Sequence, residues 1–380
     1  MLKAPHRAER GIVRITSEGD ALLLKSEYGL LRLMEMESGA LRVSFVRGED
    51  FPGDEDRFVT QGKKCSDTVI SEDEKSVTLT GKHLTARVLK EDGTLCIFDA
   101  KNGKLLFREG GLRTLEAFEA KRISRSAATV TEQIETADGV KTVVREAPLE
   151  SYKRLYRSRL PLCFQKDEAL YGLGQPESGP ANLRGRKMYL CQMNRQIALP
   201  FFVSTAGYGL LIDCGCPFVF NDDACGSYLY LTAVEQLDYY VIPGSGEEAV
   251  RGLHRLTGLP SALPAWAFGY WQSQERYETQ KEILALSKSY KDAGIGLDCA
   301  VLDWCSWPDG QWGQKSFDPE RFPDPDAMCR KLHDMDVHFM ISIWPNMNRK
   351  TLNNAEFKAQ NLLLPGGEIY DALNPAARKL

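Results

Sequence analysis

Cys299-Ala-Val-Leu-Asp-Trp-Cys-Ser-Trp307 opens with a compact apolar run that ends on a carboxylate between apolar side chains and tryptophans. A short apolar run without alternation reads as a strand covered on both faces, as in parallel sheets. The segment before it, Thr279 to Lys291, places Ile283, Leu286 and Tyr290 on one helical face, and Gly294 and Gly296 end that helix. Ahead of the helix, Phe268–Gln272 reads as a short aromatic strand. Downstream, Pro323-Asp-Pro325 opens a second helix over roughly Asp326 to Met335. Val337 to Trp344 then reads as a third strand, with His338, Met340, Ser342 and Trp344 alternating against Phe339, Ile341 and Ile343. On this reading His338 is a core histidine. The order β-α-β-α-β implies parallel strands with helical crossovers. A doubly wound sheet and the start of a (β/α)₈ barrel both fit. A last helix is entered at Asn374-Pro375, and residues 264–380 are fewer than half of the about 250 that a full barrel takes.

The chain has a different character before Pro260-Ser-Ala-Leu-Pro264, whose two prolines suit a domain junction. From residue 11 to about 250 it reads as strands: Ile12–Ile15, Ala21–Leu24, Leu30–Met34, Ala40–Phe45, Val77–Thr80, Leu84–Leu89 and Thr94–Phe98 among them. Turns at Glu91-Asp92-Gly93, Lys101-Asn102-Gly103 and Ala137-Asp138-Gly139 punctuate the series. Many short strands with frequent turns indicate a β-sandwich. Two domains follow, a β-sandwich over 1–255 and an α/β domain over 264–380.

Composition narrows the function. Forty-eight Lys and Arg against 52 Asp and Glu leave a net charge of −4, with no basic footprint for nucleic acid or an anionic membrane surface. The most apolar stretch, Ile197 to Ile212, is interrupted by Pro200, Gly207 and Gly209 and reads as two buried strands joined by a turn, not as a membrane span. The ten cysteines have no repeating interval, Cys214 and Cys216 are too close to bridge within one strand, and the five histidines sit apart from them. No metal site or cofactor is expected. Reduced thiols and the lack of an apolar leader predict a cytoplasmic protein.

Function in parallel α/β folds sits at the C-terminal ends of the strands. Three ends are legible: Trp271 through Tyr277, Asp303 through Trp307, and Trp344-Pro345-Asn346. Four of the six tryptophans fall there, and Trp312 lies in the loop after the second. Aromatic faces beside a carboxylate suit a sugar, whose C–H face stacks while its hydroxyls donate to the carboxylate. The competing reading is that the tryptophans fill the core. Glu275-Arg276 reads as a surface ion pair, and Asp318, Asp324 and Asp326 as caps of turns and helix starts. No nucleophile elbow, phosphate loop or dinucleotide fingerprint is present.

These segments resemble glycoside hydrolase family 31, in particular its bacterial α-xylosidase-like branch. The resemblance rests on Phe268-Gly-Tyr-Trp-Gln-Ser-Gln-Glu-Arg-Tyr277, Leu302-Asp-Trp-Cys-Ser-Trp307, Phe317-Asp-Pro-Glu-Arg-Phe-Pro-Asp-Pro325 and Phe339-Met-Ile-Ser-Ile-Trp-Pro345. In the first half, Tyr171-Gly-Leu-Gly-Gln175, Leu199-Pro-Phe-Phe-Val-Ser204 and Tyr208-Gly-Leu-Leu-Ile-Asp213 join them. The resemblance spans about residues 165 to 375. It implies a β-sandwich followed by the first part, about three βα units, of a (β/α)₈ barrel, and exo-acting retaining cleavage of terminal α-linked sugars in oligosaccharides or small α-glycosides. Retention uses two carboxyl groups about 5–5.5 Å apart. In this family both are aspartates on the fourth and sixth barrel strands, so no catalytic residue is assigned here: both are expected beyond Leu380, and this chain alone is expected to be inactive. What carries over is part of the pocket: Asp303 as acceptor from the sugar hydroxyls, Trp344 as aromatic wall, and Trp271, Arg276 and Tyr277 at the rim. A sandwich loop after Gly174, reaching Gln192 and Asn194, is placed near them.

Trp304, directly after the pocket aspartate, is bulky enough to fill the space that a hydroxymethyl group on C5 needs. An α-xyloside is therefore preferred over an α-glucoside, with an α-glucosidase as the alternative. Of a different class are a carbohydrate-binding or structural fragment without catalysis, and another α/β enzyme such as an isomerase or dehydrogenase. Three barrel strands leave an open edge and bare apolar helix faces, so a partner, further chain or a homo-oligomer is expected to cover them.

Overall fold

The computed structural model describes residues 7–380 except 53–58, 60–66, 125–129, 137–138, 147, 177–178, 180 and 365. The chain divides into two compact units, residues 1–120 with 152–260, and 121–151 with 261–380.

The first unit is made of antiparallel sheets. Its largest has eight strands, in the spatial order Arg14–Glu18, Ala21–Lys25, Leu30–Glu35, Leu41–Val46, Leu237–Pro243, Tyr208–Ile212, Gln196–Ser204 and Leu170–Pro176. Leu41–Val46 pairs with Leu237–Pro243, so strands nearly 200 residues apart form the middle of the sheet. All six residues of the former are buried, because the sheet is covered on both faces. Period-two alternation divides the side chains between two cores. Leu237, Tyr239 and Val241 join the large core between sheets, while Tyr240 and Ile242 pack under a helix, Gly246–Thr257. That helix was not anticipated in the sequence. It starts in a capping box, with Ser245 and Glu248 each bonding the other's backbone N–H.

Of the expected turns, Asp92 accepts from the Thr94 amide at 3.0 Å, and Asn102 from that of Lys104 at 2.8 Å. Gly93 and Gly103 both adopt the left-handed φ of +70° that a side chain disfavours. The third turn belongs to a two-stranded ribbon, Val130–Thr136 with Gly139–Glu146. Its Ala137 and Asp138 lie outside the described residues. The interrupted stretch Ile197 to Ile212 is two paired strands, and among the described residues no helix is long and apolar enough to cross a membrane.

The second unit contains three parallel strands: Trp271–Gln274, Cys299–Leu302 and His338–Ile341, in that order, with Trp271, Cys299 and His338 in register. Helix Gln280–Asp292 follows the first strand and is started by a Thr279–Glu282 capping box; helix Pro325–His333 follows the second and is capped by Asp324. Ile283, Leu297, Leu302, Phe322, Met328 and Leu332 form the core between helices and strands.

The first and third strands differ in extent from the sequence reading, and the second helix ends at His333 instead of Met335. The first strand begins at Trp271, because Ala265–Phe268 closes into a 3₁₀ turn behind Pro264. The Asp298 carboxylate then accepts from the Tyr270 amide at 2.8 Å and lies so close to Gly269 that a Cβ there would meet it at 2.0 Å. The third strand stops at Ile341, where Ser342 donates one last bond to Leu302 and the chain turns away. His338, at its start, is half-buried and lies flat on Trp266 with ring centroids 4.0 Å apart, so it is not sealed in the core. The third strand is an edge of this sheet, with Met340 43% exposed, and Ile343, two residues beyond its end, is 73% exposed.

Candidate functional site

The second strand ends at Leu302, and Asp303 is the first residue beyond it. Its side chain is half-buried, and among the described residues its carboxylate takes no hydrogen bond and no ion pair. Its oxygens are not sealed from water, and their capacity to accept is unused by the described residues. Asp303 therefore stands ready to accept from a ligand.

The next two residues, Trp304 and Cys305, both have a left-handed backbone, with φ of +59° and +52°. Such positions cost about 1–3 kcal/mol each in a non-glycine residue and persist only where neighbours impose them. Arg321 imposes this one. Its guanidinium donates to the carbonyls of Cys305 at 2.8 Å, Trp307 at 2.7 Å and Glu278 at 3.2 Å, tying the loops after the first and second strands together. Asp318 holds the guanidinium at 3.2 Å and accepts from the amides of Glu320 and Arg321. The turn-capping role read for Asp318 is present, and so is that of Asp324. Arg321 escaped the sequence reading, although it lies inside one of the quoted motifs.

The indoles assemble around Trp312. Trp344 meets it edge-on at 5.1 Å, Trp304 at 5.7 Å and Trp307 at a tilt at 6.1 Å. The Trp304 Nε1 is buried without a hydrogen-bond partner among the described residues. Lys315 holds the wall from behind by donating to the carbonyls of Trp344, of Gly313 at 2.7 Å and of Asn346 at 3.4 Å. Burial lowers the pKa of this ammonium from its usual value. No periodicity or motif in the sequence pointed to Lys315.

The residues expected at the site separate into two sets. Trp304 and Trp344 both meet Trp312, Asp303 adjoins Trp304 in sequence, and Arg276 lies with its guanidinium 5.6 Å from the Trp304 ring. Arg276 pairs with Glu278 at 3.4 Å rather than with Glu275. Trp271 does not join them. It starts its strand, at the opposite end of the sheet, and stacks on Trp266 at 5.4 Å. The later start of the strand, at Trp271 instead of Phe268, puts it there. Tyr277 is 5% exposed and packs in the core, with its hydroxyl accepting from Gln272 at 3.3 Å, so it does not form a rim. Gln192 and Asn194 belong to the sandwich unit, where the Gln192 side chain accepts from the Ala198 amide at 2.8 Å. Among the described residues, no group of three or more His, Cys, Asp or Glu could hold a metal ion.

Family models match both halves of the chain. Residues 30–221 match the glycosyl hydrolase 31 N-terminal galactose mutarotase-like domain, and residues 260–380 the glycosyl hydrolases family 31 TIM-barrel domain. The chain belongs to glycoside hydrolase family 31. An α-xylosidase of Saccharolobus solfataricus is 34% identical over 210 residues, which are 55% of this chain and 29% of that protein. An uncharacterized family 31 glucosidase of Pseudescherichia vulneris is 27% identical over 96% of this chain and 69% of its own length. Among solved structures, a family 31 α-xylosidase from a soil metagenome, complexed with xylose, superposes with a TM-score of 0.76 at 26% identity, over 96% of this chain and 54% of that one. The chain thus spans about half of that structure and less than a third of the first relative. The architecture is that of the family: N-terminal sandwich sheets followed by the start of a TIM barrel.

Proposed function

We propose that the protein this chain represents is a retaining exo-α-glycosidase that removes terminal α-linked sugars, α-xylosides in preference to α-glucosides. The observation that carries the reading is Asp303: a half-buried carboxylate at a barrel strand end, without a partner among the described residues and next in sequence to Trp304, which meets Trp312. It accepts hydroxyls of the terminal sugar while Trp344 and Trp304 present apolar surface to the ring. Several relatives bearing α-xylosidase names support the substrate class. The nucleophile and acid/base are two carboxylates on barrel strands other than the three described. Arg276 completes the pocket on the side of Trp304.

For these 380 residues alone, the companion reading is sugar binding without turnover, since the residues described form one wall of a pocket. The free state of the nine described cysteines supports a reducing, cytoplasmic setting. The exposed edge strand supports coverage by further chain or by a second copy.

Hydrolysis of nitrophenyl α-xyloside and α-glucoside by this chain, beside a protein carrying the further barrel strands, tests the proposal. Turnover only by the longer protein, faster on the xyloside, is the expected outcome. Turnover by the 380 residues would overturn the assignment of the catalytic groups, and a faster glucoside the sugar preference.

A further inference from the structure

A five-stranded sheet of the sandwich carries Thr114–Ile123, Leu149–Pro161, Gly226–Val234, Phe218–Asp223 and Lys187–Leu190, side by side in that order. Alternation along these strands sends Leu160, Leu229, Phe220 and Leu190 into the sandwich core and turns the residues between them outward. Register then places Arg159, Tyr230, Val219 and Tyr189 in one row across four neighbouring strands of the outer face. Two residues from Tyr230, Tyr228 carries the Arg159 guanidinium on its ring, 4.0 Å from the centroid. Arg157 covers Phe118 in the same way at 4.7 Å. Tyr189 is 53% exposed, and Tyr228, Tyr230 and Arg159 are half-buried. All of these residues lie in the first unit, and Asp303 in the second.

The polar groups of this face are unused within the protein. Among the described residues, the hydroxyls of Tyr189, Tyr228 and Tyr230 make no hydrogen bond, and neither Arg157 nor Arg159 meets a carboxylate. The Arg159 Nε is buried there without a hydrogen-bond partner. A guanidinium lying flat on a ring keeps its terminal N–H groups for a ligand, in the fork geometry that suits a carboxylate. Tyrosine rings offer an apolar face to the C–H side of a sugar and a hydroxyl to its oxygens. Tyr189 and Tyr230 stand two strands apart, about 10 Å. The smaller Val219 between them leaves room for the middle unit of a chain that stacks on both rings.

We propose that this face binds an acidic oligosaccharide, a pyranose chain bearing an occasional uronic acid. Its rings lie on Tyr189 and Tyr230, its carboxylate meets Arg159, and Arg157 adds to the attraction. Charge complementarity selects this ligand. Two guanidiniums without carboxylates, set among aromatic rings, match a chain whose negative charges are sparse. A phosphodiester chain carries a charge on each nucleotide and is held by many Lys and Arg contacts, and this protein has a net charge of −4. The site does not rest on the glycosidase reading of the Asp303 pocket.

The test is calorimetric titration of the 380-residue chain at low salt with three probes. They are a xylo-oligosaccharide carrying one glucuronic acid, the same sugar with that carboxyl reduced to an alcohol, and a single-stranded oligothymidylate. The acidic sugar is expected to bind, the reduced sugar at least about 10-fold more weakly, and the oligothymidylate more weakly than the acidic sugar. R159Q and Y230A are each expected to lower affinity for the acidic sugar about 10-fold. If Y230A fails to fold, Y189A, on the exposed edge strand, takes its place. No binding of the acidic sugar, equal binding of its reduced form, or tighter binding of the oligothymidylate overturns the proposal. Full affinity in R159Q and in the folded tyrosine variant places the sugar elsewhere and overturns it too.

Discussion

Arg321 stands 2.8 Å from the carbonyl oxygen of Cys305, the second of two consecutive left-handed residues that follow Asp303. One guanidinium satisfies four acceptors drawn from two loops and one turn. Lysine offers a point charge without the planar fork and cannot reproduce this geometry. In R321K, hydrogen exchange across residues 303–307 is expected to accelerate, and xylose affinity to fall about 10-fold, corresponding to one strained position released. Unchanged exchange would show that the loop holds its shape without the clamp.

Asp303→Asn keeps the shape of the side chain and removes its charge. Hydrogen bonds from hydroxyls to an ionised acceptor contribute about 1.5–3 kcal/mol, so sugar affinity is expected to fall about 10- to 100-fold. The melting temperature is expected to stay level or rise, because the carboxylate has no partner to lose among the described residues. Calorimetric titration with xylose and a thermal melt of the same sample check both halves.

Trp304 tests sugar choice. Trp304→Ile opens room near the pocket carboxylate, and discrimination between sugars differing by one hydroxymethyl group is expected to shift by about 1–3 kcal/mol toward the glucoside. The ratio of kcat/KM for nitrophenyl α-xyloside over α-glucoside, measured on a protein carrying the remaining strands, reads the change. An unaltered ratio would remove Trp304 from the specificity argument.

In the sandwich, Arg113 is paired inside the core with Glu109, which also accepts from the Tyr239 hydroxyl at 2.8 Å and the Leu95 amide at 3.1 Å. Removing one member of a buried pair strands the other. Arg113→Ala is expected to cost about 3–5 kcal/mol in urea unfolding of the sandwich. Replacing both partners with apolar residues of similar volume is expected to cost less than the single change.

Asp318 makes the clamp sensitive to acid. Burial alone would raise its carboxyl, but hydrogen bonds from the Glu320 and Arg321 amides and from the Arg321 guanidinium outweigh it and hold the carboxyl below its usual 3.8. A depressed carboxyl contributes stability that is fully present above the unfolded value and is lost as pH falls through the folded one. The difference in melting temperature between wild type and Asp318→Asn is therefore expected to be largest near neutrality, to begin shrinking near pH 3.8, and to disappear only once pH has fallen below the lowered folded value. A difference constant with pH would mean that the charge plays no part.

Local chemistry determined much of this protein. The strands at Leu84–Leu89 and Cys299–Leu302, the helix behind Thr279 and the turns at Gly93 and Gly103 follow from side-chain alternation, capping and left-handed glycines, all settled within a few residues of chain. Asp303 was legible for the same reason, as a charge closing an apolar run. Pairing between distant segments was not. Nothing near Leu41–Val46 announces that its partner is Leu237–Pro243, because register is decided by which faces two cores bury. The division of the aromatic residues was also tertiary. A strand starting at Trp271 rather than Phe268 sends that indole to the far end of the sheet, and packing draws Tyr277 into the core. Arg321 and Lys315 act through backbone carbonyls brought to them by the fold, and a carbonyl carries no sequence signature.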